Sequence, residues 1–407
     1  MSGESFADRT LMRPRIVVCV GCGGVGKTTI AAALGVEAAR RGRRALVLTI
    51  DPARRLADAL GLSALGNQPQ PIPRRVLTRL GVPEDGGLAA MMLDMKRTFD
   101  DLVERFAESP EVRDRIFSNA IYQHASDALA GSVEYSAMEK VYELYEGRQF
   151  DLIVVDTPPA QHALDFLEAP QRLLEFLDSR LVQILIHPAF AAGRFGFRLF
   201  QRGTHRVLQI IERISGLGFL EDISEFLIAF EGMSGGFRER ARRVRALLVG
   251  SEAAFVLVAG TGGESQRQAV EFLDRLEAFD VPLSGVLINR VRLWPEGDEP
   301  PDWLTGGEPR DSDLAALAKA LAAGAAPDFP AEAAARAAVD ATTGYAALVR
   351  RDARSTRTLR TRAQDRGRYW GQVPEFAGDI HDLAGLAHIA DAIFHGGGPS
   401  LGEHAGR

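Results

Sequence analysis

The chain has 407 residues, enough for two or three domains or for one α/β fold with long insertions. Its net charge of −6, with acidic and basic residues interspersed, argues against a nucleic-acid partner and against a polybasic membrane patch. The polar N-terminus, the absence of a run of roughly 20 apolar residues and the two cysteines predict a cytoplasmic protein without permanent membrane insertion.

The first predicted strand leads directly into a phosphate-binding motif. Residues 16–20 form a continuous apolar run, which is typical of a strand buried on both faces of a parallel sheet. The pattern G-x-x-x-x-G-K-[ST] follows, in which backbone N–H groups surround phosphates, a lysine contacts the β and γ oxygens, and a hydroxyl binds Mg²⁺. A helix predicted over residues 30–40 comes next, and its N-terminal amides favour phosphate. The predicted phosphate-binding residues are Gly21, Cys22, Gly23, Gly24, Val25, Gly26, Lys27, Thr28 and Thr29.

The second predicted strand, residues 45–50, ends on Asp51. A carboxylate at the carboxyl end of a parallel strand, beside a phosphate loop, is placed to orient a water molecule or to approach a metal ion. The alternative is an N-cap for a helix that begins near Pro52. The local sequence favours neither interpretation over the other.

Between the second and third sheet strands, residues 88–93 read as a strand or another buried segment. The third strand, residues 152–155, runs into Asp156. Four apolar residues followed by aspartate are typical of a Walker B element, whose carboxylate holds Mg²⁺ through water, opposite Thr28. The residues after Asp156 have the composition of a switch segment that responds to the γ-phosphate.

Two further strands, residues 254–258 and 283–288, bracket a helix from about 264 to 279. The second of them ends at Asn289, whose amide is able to read an adenine edge, although asparagine at a strand end is more often a turn residue. A final helix is expected over residues 380–394. The fold class is therefore α/β, a mostly parallel sheet flanked by helices as in P-loop NTPases, with an inserted helical subdomain.

We expect one P-loop domain over residues 1–407, with helical insertions at 96–147 and 165–250 and an Ala/Arg-rich helical or linker segment at 301–366. The second insertion carries a wide apolar surface. That surface is either a groove for an apolar helix, with adaptable contacts from methionines, or the core of the helical subdomain. The residues concerned are Leu220, Ile223, Leu227 and Phe230, with Met91, Met92 and Met95.

Taken in order, these motifs resemble the ArsA family, which contains arsenite-pump ATPases and the ATPases that target tail-anchored membrane proteins. The motifs are the phosphate loop, Asp51-Pro52-Ala53-Arg54, the run from Asp156 to Leu164, Ile288-Asn289-Arg290 and Val373-Pro374-Glu375-Phe376. The resemblance implies a dimeric ATPase that uses ATP and Mg²⁺, with facing nucleotide sites and hydrolysis coupled to movement of helical subdomains. It also implies a hydrophobic helix or tail-anchored segment as a possible client.

The resemblance assigns roles to individual residues. Lys27 and Asp51 correspond to the catalytic residues, with Asp51 orienting or activating the attacking water. Asp156 corresponds to the magnesium carboxylate, Asn289 to the adenine reader, and Pro374 to part of the loop beneath adenine.

One departure from the family pattern bears on activity. Cys22 occupies the position of the family's signature lysine, which reaches across the dimer to the partner's nucleotide. A thiol lacks that charge, and a cation supplied in trans is worth orders of magnitude in phosphoryl transfer. The sequence therefore predicts slow hydrolysis in a homodimer, or a heterodimer with a lysine-bearing paralogue.

Two alternatives remain open at this point. One is a positioning ATPase of the ParA or MinD type, although the chain lacks a basic DNA face and a membrane-seeking amphipathic helix at its end. The other is a catalytically weak regulatory subunit of a heterodimeric ATPase, which Cys22 favours.

Overall fold

The chain folds around one twisted sheet in which eight strands are described. This computed structural model describes residues 5–51, 55–119, 132–158, 238–295, 309–323, 328–378 and 382–395, with isolated residues between these ranges. The strands are β1 Ile16–Gly21, β2 Arg44–Thr49, β3 Gln70–Pro71, β4 Gly87–Met92, β5 Leu152–Asp156, β6 Ala253–Gly260, β7 Leu283–Val291 and β8 Tyr369–Pro374. Their order across the sheet is β3-β4-β2-β5-β1-β6-β7-β8.

Every pairing is parallel except that of β3 with β4, which is antiparallel. The central strand β1 lies between β5 and β6, and all of its residues are buried. Such burial on both faces explains its continuous apolar sequence, because a parallel sheet is covered by helices on each side. The predicted α/β class with a mostly parallel sheet is confirmed.

Alternate residues of β1 enter two separate cores. Ile16, Val18 and Val20 belong to one apolar cluster, whereas Val17 and Cys19 belong to the other. The second cluster is closed by α1 Lys27–Arg40, α2 Arg55–Ala59, α3 Arg74–Arg79 and α11 Leu383–Phe394. The first is closed by α4 Met95–Phe106, α5 Pro110–Ser118, α6 Ser132–Glu146, α7 over 238–249, α8 Gly263–Ala278 and α10 Ala331–Asp365.

Within the described residues, side-chain caps mark the starts of three helices. Asp94, Ser109 and Asp382 precede α4, α5 and α11, and each accepts a hydrogen bond from a backbone N–H in the first turn. Such a cap is worth about 1 kcal/mol because it satisfies an amide that has no partner within the helix. α1 begins differently, at a glycine without a side-chain cap.

The strands agree with their predicted positions, with ends displaced by up to three residues. β4 covers most of residues 88–93, where a strand or buried segment is expected. The short edge strand β3 and the half-buried strand β8 are not predicted. The final helix, expected from residue 380, begins at Leu383.

The described residues within both expected insertions are mainly helical. α4, α5 and α6 lie within or at the edge of 96–147, and α7 closes 165–250. Leu227 is buried, whereas Leu220, Ile223 and Phe230 lie outside the described residues. Met91 is fully buried in the sheet core, so its side chain is closed to a client. The side chain of Met95 also lies outside what is described.

The segment 301–366 contains α9 Asp311–Ala322, which packs on the 35-residue α10. These two helices account for most of the described residues of this Ala/Arg-rich stretch. Over the part of the chain that is described, none of the helices combines the length and apolar character required to cross a bilayer.

Candidate functional site

The loop between β1 and α1 is formed by glycines in conformations that other residues rarely adopt. Gly24 and Gly26 have φ values of +75° and +90°. Gly26 caps α1 without a side chain, so no cap of that kind covers the first-turn amides of Lys27, Thr28 and Thr29. Gly23 and Gly24 are exposed. An exposed glycine-rich turn, followed by a helix N-terminus without a side-chain cap, is an arrangement that binds anions.

Lys27 extends back across this loop. Its Nζ donates a hydrogen bond to the Cys22 carbonyl oxygen at 2.8 Å, and the residue is 8% exposed. Burial lowers the pKa of the Lys27 ammonium, while the carboxylates of Asp156 and Asp51 act to raise it. The ammonium therefore has a neutral partner in the loop itself, which a phosphate oxygen is able to replace.

Thr28 and Asp156 meet at the end of β5. The Thr28 hydroxyl donates to Asp156 Oδ2 at 2.7 Å, and the Thr49 hydroxyl donates to the same oxygen at 2.9 Å. Asp156 is 1% exposed, and its Oδ1 has no hydrogen-bond partner within the described residues. An unpaired carboxylate oxygen at such depth is costly unless another group binds it.

The donor set around Asp156 fits a magnesium ion. Mg²⁺ prefers hard oxygen ligands and keeps several of its waters. Because Thr28 gives its hydrogen to Asp156, the lone pairs of its oxygen remain available to a cation. Thr28 would thus hold the ion directly and Asp156, through Oδ1, by way of water.

Asp156 gives folding a dependence on pH. Burial raises the pKa of its carboxyl group from 3.8 to about 6, against the hydrogen bonds from Thr28 and Thr49 and the charge of Lys27. Between these values the folded protein keeps a proton that the unfolded chain has released. The free energy of unfolding therefore falls as the pH rises through this range. Because one pKa unit corresponds to about 1.4 kcal/mol, the loss is about 3 kcal/mol.

We accordingly expect Asp156→Asn to make the nucleotide-free protein more stable than wild type above pH 6, by about 1–3 kcal/mol. The two proteins should be nearly equal at pH 4, where the wild-type carboxyl group is protonated. Denaturant unfolding at both pH values measures the difference. An equal difference at the two pH values would show that charge burial at Asp156 is not its cause.

Asp51 follows β2, and its side chain is 28% exposed. Its backbone N–H donates to the Thr49 hydroxyl at 3.3 Å, and its Oδ2 lies 3.9 Å from Nη1 of Arg55. The side chain of Arg55 is 68% exposed, so solvent weakens this ion pair. Residues 52–54 lie outside the described residues, and the helix-cap alternative for Asp51 therefore stays open.

Cys22 turns its side chain into the protein. The residue is 2% exposed, and Sγ lies 3.7 Å from the carbonyl oxygen of Ser265 in the first turn of α8. Burial raises the pKa of the thiol, so the group is neutral at pH 7. The loop residue that carries a lysine in the resembled family thus contributes no charge here.

Asn289 braces the loop from β7, which is separated from β1 by β6. Its Nδ2 donates to the carbonyl oxygen of Val25 at 2.8 Å, its Oδ1 accepts from the N–H of Arg290, and the residue is 7% exposed. Val25 is itself buried at 7% exposure. Sequence reasoning did not identify this bracing contact, and the reading of adenine by Asn289 stays a prediction.

Pro374 ends β8 and is paired in the sheet with Val291 of β7, close in the chain to Asn289. The next residue, Glu375, forms an ion pair with Arg292 at 3.0 Å, and Arg292 also pairs with the buried Asp352 of α10 at 3.2 Å. These two ion pairs connect α10 to the ends of β7 and β8. The place of Pro374 beneath a base stays a prediction.

Comparison with known proteins identifies related sequences. A family model described as anion-transporting ATPase matches residues 14–301, which include every predicted site residue except Pro374. An ATPase get3 of Schizosaccharomyces japonicus is 24% identical over 277 residues, which are 68% of this chain and 74% of that protein. A putative arsenical pump-driving ATPase of Halobacterium salinarum is 30% identical over 166 residues, 40% of this chain and 25% of that protein. A Mycobacterium tuberculosis protein is 38% identical over 167 residues, 40% of this chain and 38% of that protein.

Proposed function

Because this chain belongs to the ArsA family of anion-transporting ATPases, we propose that it binds Mg-ATP at the loop between β1 and α1 and hydrolyses it to ADP and phosphate. The contact of the Thr28 hydroxyl with the Asp156 carboxylate carries this proposal. It joins two magnesium-binding candidates that are 128 residues apart in sequence, at the end of the phosphate loop where α1 begins.

Each residue of the site has a role in this reaction. The loop amides and Lys27 bind the phosphates, Thr28 and Asp156 hold the cation, and Asp51 orients the attacking water. A bound magnesium ion supplies charge neutralisation for the phosphate oxygens. Lys27 stabilises the charge that develops on the β and γ oxygens as the γ-phosphoryl group passes from ADP to water. When nucleotide enters, the Lys27 ammonium exchanges the Cys22 carbonyl for a phosphate oxygen.

Nucleotide titration tests this proposal. Purified protein is titrated with a fluorescent ATP analogue and with ADP, with Mg²⁺ and with excess chelator. We expect adenine-nucleotide binding that magnesium strengthens, and loss of that strengthening in Asp156→Asn. Equal affinity with and without magnesium, or no binding, would contradict the assignment of the site.

The protein acts as a dimer in this proposal, with a cation from a partner subunit at each nucleotide. The buried, neutral Cys22 offers none, which supports slow hydrolysis in a homodimer or pairing with a lysine-bearing paralogue. It also supports the second candidate function, a regulatory subunit that binds ATP and turns it over weakly.

We expect Cys22→Lys to raise the rate of ATP hydrolysis by about tenfold or more, because a trans cation neutralises transition-state charge. Cys22→Met is the matched control, since it adds length without charge. Steady-state turnover is measured above the dimerisation concentration, and melting temperatures are compared because Cys22 is buried. If both variants are folded and hydrolyse ATP at the same rate, the missing cation is not the cause of slow hydrolysis.

Hydrolysis is coupled, in this proposal, to movement of the helical insertions and to release of a hydrophobic helix. The family membership and the helices at 96–147 support it. Co-purification of a model tail-anchor helix in Mg-ATP tests it, with a charged scrambled helix as the control. Equal recovery of both helices would contradict a hydrophobic client.

A further inference from the structure

One buried hydroxyl lies between the two carboxylate-bearing segments of the site. The Thr49 Oγ1 donates to Asp156 Oδ2 at 2.9 Å and accepts from the backbone N–H of Asp51 at 3.3 Å. A threonine hydroxyl has one hydrogen and two lone pairs, so both bonds form at once. Thr49 is 1% exposed, and no other side chain of the described residues is bonded both to Asp156 and to the segment that carries Asp51.

The strand does not need this hydroxyl for its own stability. The backbone of Thr49 is paired with Asp156 in the sheet register, and its carbonyl oxygen accepts from the N–H of Leu93 at 3.0 Å. The N–H of Ile50 donates to the Asp156 carbonyl oxygen at 3.1 Å. Val47, two residues earlier and on the same face of the strand, is a buried apolar residue, so an apolar side chain at position 49 would suit the same environment.

The two bonds connect groups with different tasks. Asp156 Oδ2 is shared by Thr28 and Thr49, so both hydroxyls determine how the carboxylate is turned and where its unpaired Oδ1 points. Asp51 follows the strand, and its backbone N–H donates to the same hydroxyl of Thr49. A displacement of the carboxylate therefore reaches the start of the Asp51 segment through one oxygen atom.

We propose that Thr49 is a positioning residue. Its hydroxyl holds the segment that carries Asp51 at a fixed position relative to the carboxylate of Asp156. The inference rests on the proposed function, because it concerns the water-orienting residue of that reaction. Thr49 is buried and closed to solvent. It acts through Asp51 and Asp156, so its loss should affect the chemical step more than nucleotide binding.

Two substitutions separate this role from a packing role. Thr49→Val keeps the shape of the side chain and removes both hydrogen bonds, whereas Thr49→Ser keeps the hydroxyl and removes a methyl group. We expect Thr49→Val to lower the single-turnover rate of ATP hydrolysis by about 10- to 100-fold, as a small displacement of a catalytic group does. We expect its Kd for MgADP to stay within about threefold of wild type. Thr49→Ser should restore most of the rate.

Hydrogen exchange supplies a readout that does not depend on turnover. The amide of Asp51 is followed by Pro52, which has no N–H, so a peptide starting near Leu48 reports on few amides. In wild type and Thr49→Ser, we expect MgADP to slow exchange in this peptide. In Thr49→Val the amide has lost its acceptor, and exchange should be faster and respond less to MgADP.

The outcomes distinguish this inference from the proposed function. Absence of MgADP binding by wild type would overturn the proposed function. Normal MgADP binding with a Thr49→Val rate and exchange pattern equal to those of wild type would overturn the positioning role alone. Equal losses in Thr49→Val and Thr49→Ser, or a loss of MgADP affinity as large as the loss of rate, would show that Thr49 acts through packing or binding and would also overturn it.

Discussion

Replacing Lys27 by alanine is expected to lower the rate of ATP hydrolysis by about a thousandfold and to weaken MgATP binding. Within the described part of the chain, the Lys27 ammonium is the positive charge inside the phosphate loop. It lies close enough to Asp156 and Asp51 to interact with their charges. Arginine in its place has a planar guanidinium that does not fit a compact cradle, so Lys27→Arg should be nearly as inactive.

Stability measurements keep this result interpretable. Removal of Lys27 relieves the burial of a charge, whose cost appears as the lowered pKa of the ammonium. It also leaves the Cys22 carbonyl without its 2.8 Å donor. These two effects oppose each other, so the melting temperature of Lys27→Ala should change by only a few degrees. A folded Lys27→Ala variant with wild-type hydrolysis would contradict the assignment of the loop as the phosphate site.

Gly21→Ala is expected to destabilise the whole domain, by about 3 kcal/mol or more. Gly21 ends β1 with φ +150°, and a Cβ at this position would lie 2.0 Å from the carbonyl oxygen of Val258 in the adjacent strand β6. That oxygen belongs to the backbone of a central strand, which has little freedom to move away. Denaturant unfolding of the purified variant measures the loss, and poor expression of folded protein is expected.

Gly24→Ala is the matched control within the same loop. Gly24 also has positive φ, at +75°, but a Cβ there would have no atom within 4 Å. The loss of unfolding free energy in Gly24→Ala should be limited to the strain of an alanine with positive φ, about 1–2 kcal/mol. Equal destabilisation by the two substitutions would contradict the close approach of β1 to β6 and would attribute the effect to backbone conformation alone.

The central strands are predictable because they are buried on both faces. Continuous apolar runs indicate β1, β2, β5, β6 and β7, since each is covered by helices or strands on all sides. β8 carries Gly371 and Gln372 among its aromatic residues and is only half buried, so it lacks such a run. β3 has two exposed residues and is defined by its partner strand β4 alone.

The candidate site is predictable residue by residue and only partly as an arrangement. Motif patterns place Asp156 opposite Thr28 across a magnesium ion, but the direct hydrogen bond between them depends on β5 lying beside β1, which the motifs do not specify. Asn289 reaches Val25 across 264 residues of sequence, which no local pattern encodes. Thr49 is hidden for another reason, because threonine is a common strand residue and only its two hydrogen bonds distinguish it.

The shape of the sheet's β3 edge has a consequence for the behaviour of the protein at high concentration. Gln70 and Pro71 form an outermost strand of two residues, and proline has no N–H to offer a neighbour. A second molecule therefore meets few unpaired backbone N–H and C=O groups at this edge of the sheet with which it could pair a strand. The short edge strand β3 therefore disfavours fibrous aggregation at high protein concentration, even though the interior of the sheet is rich in β-branched residues.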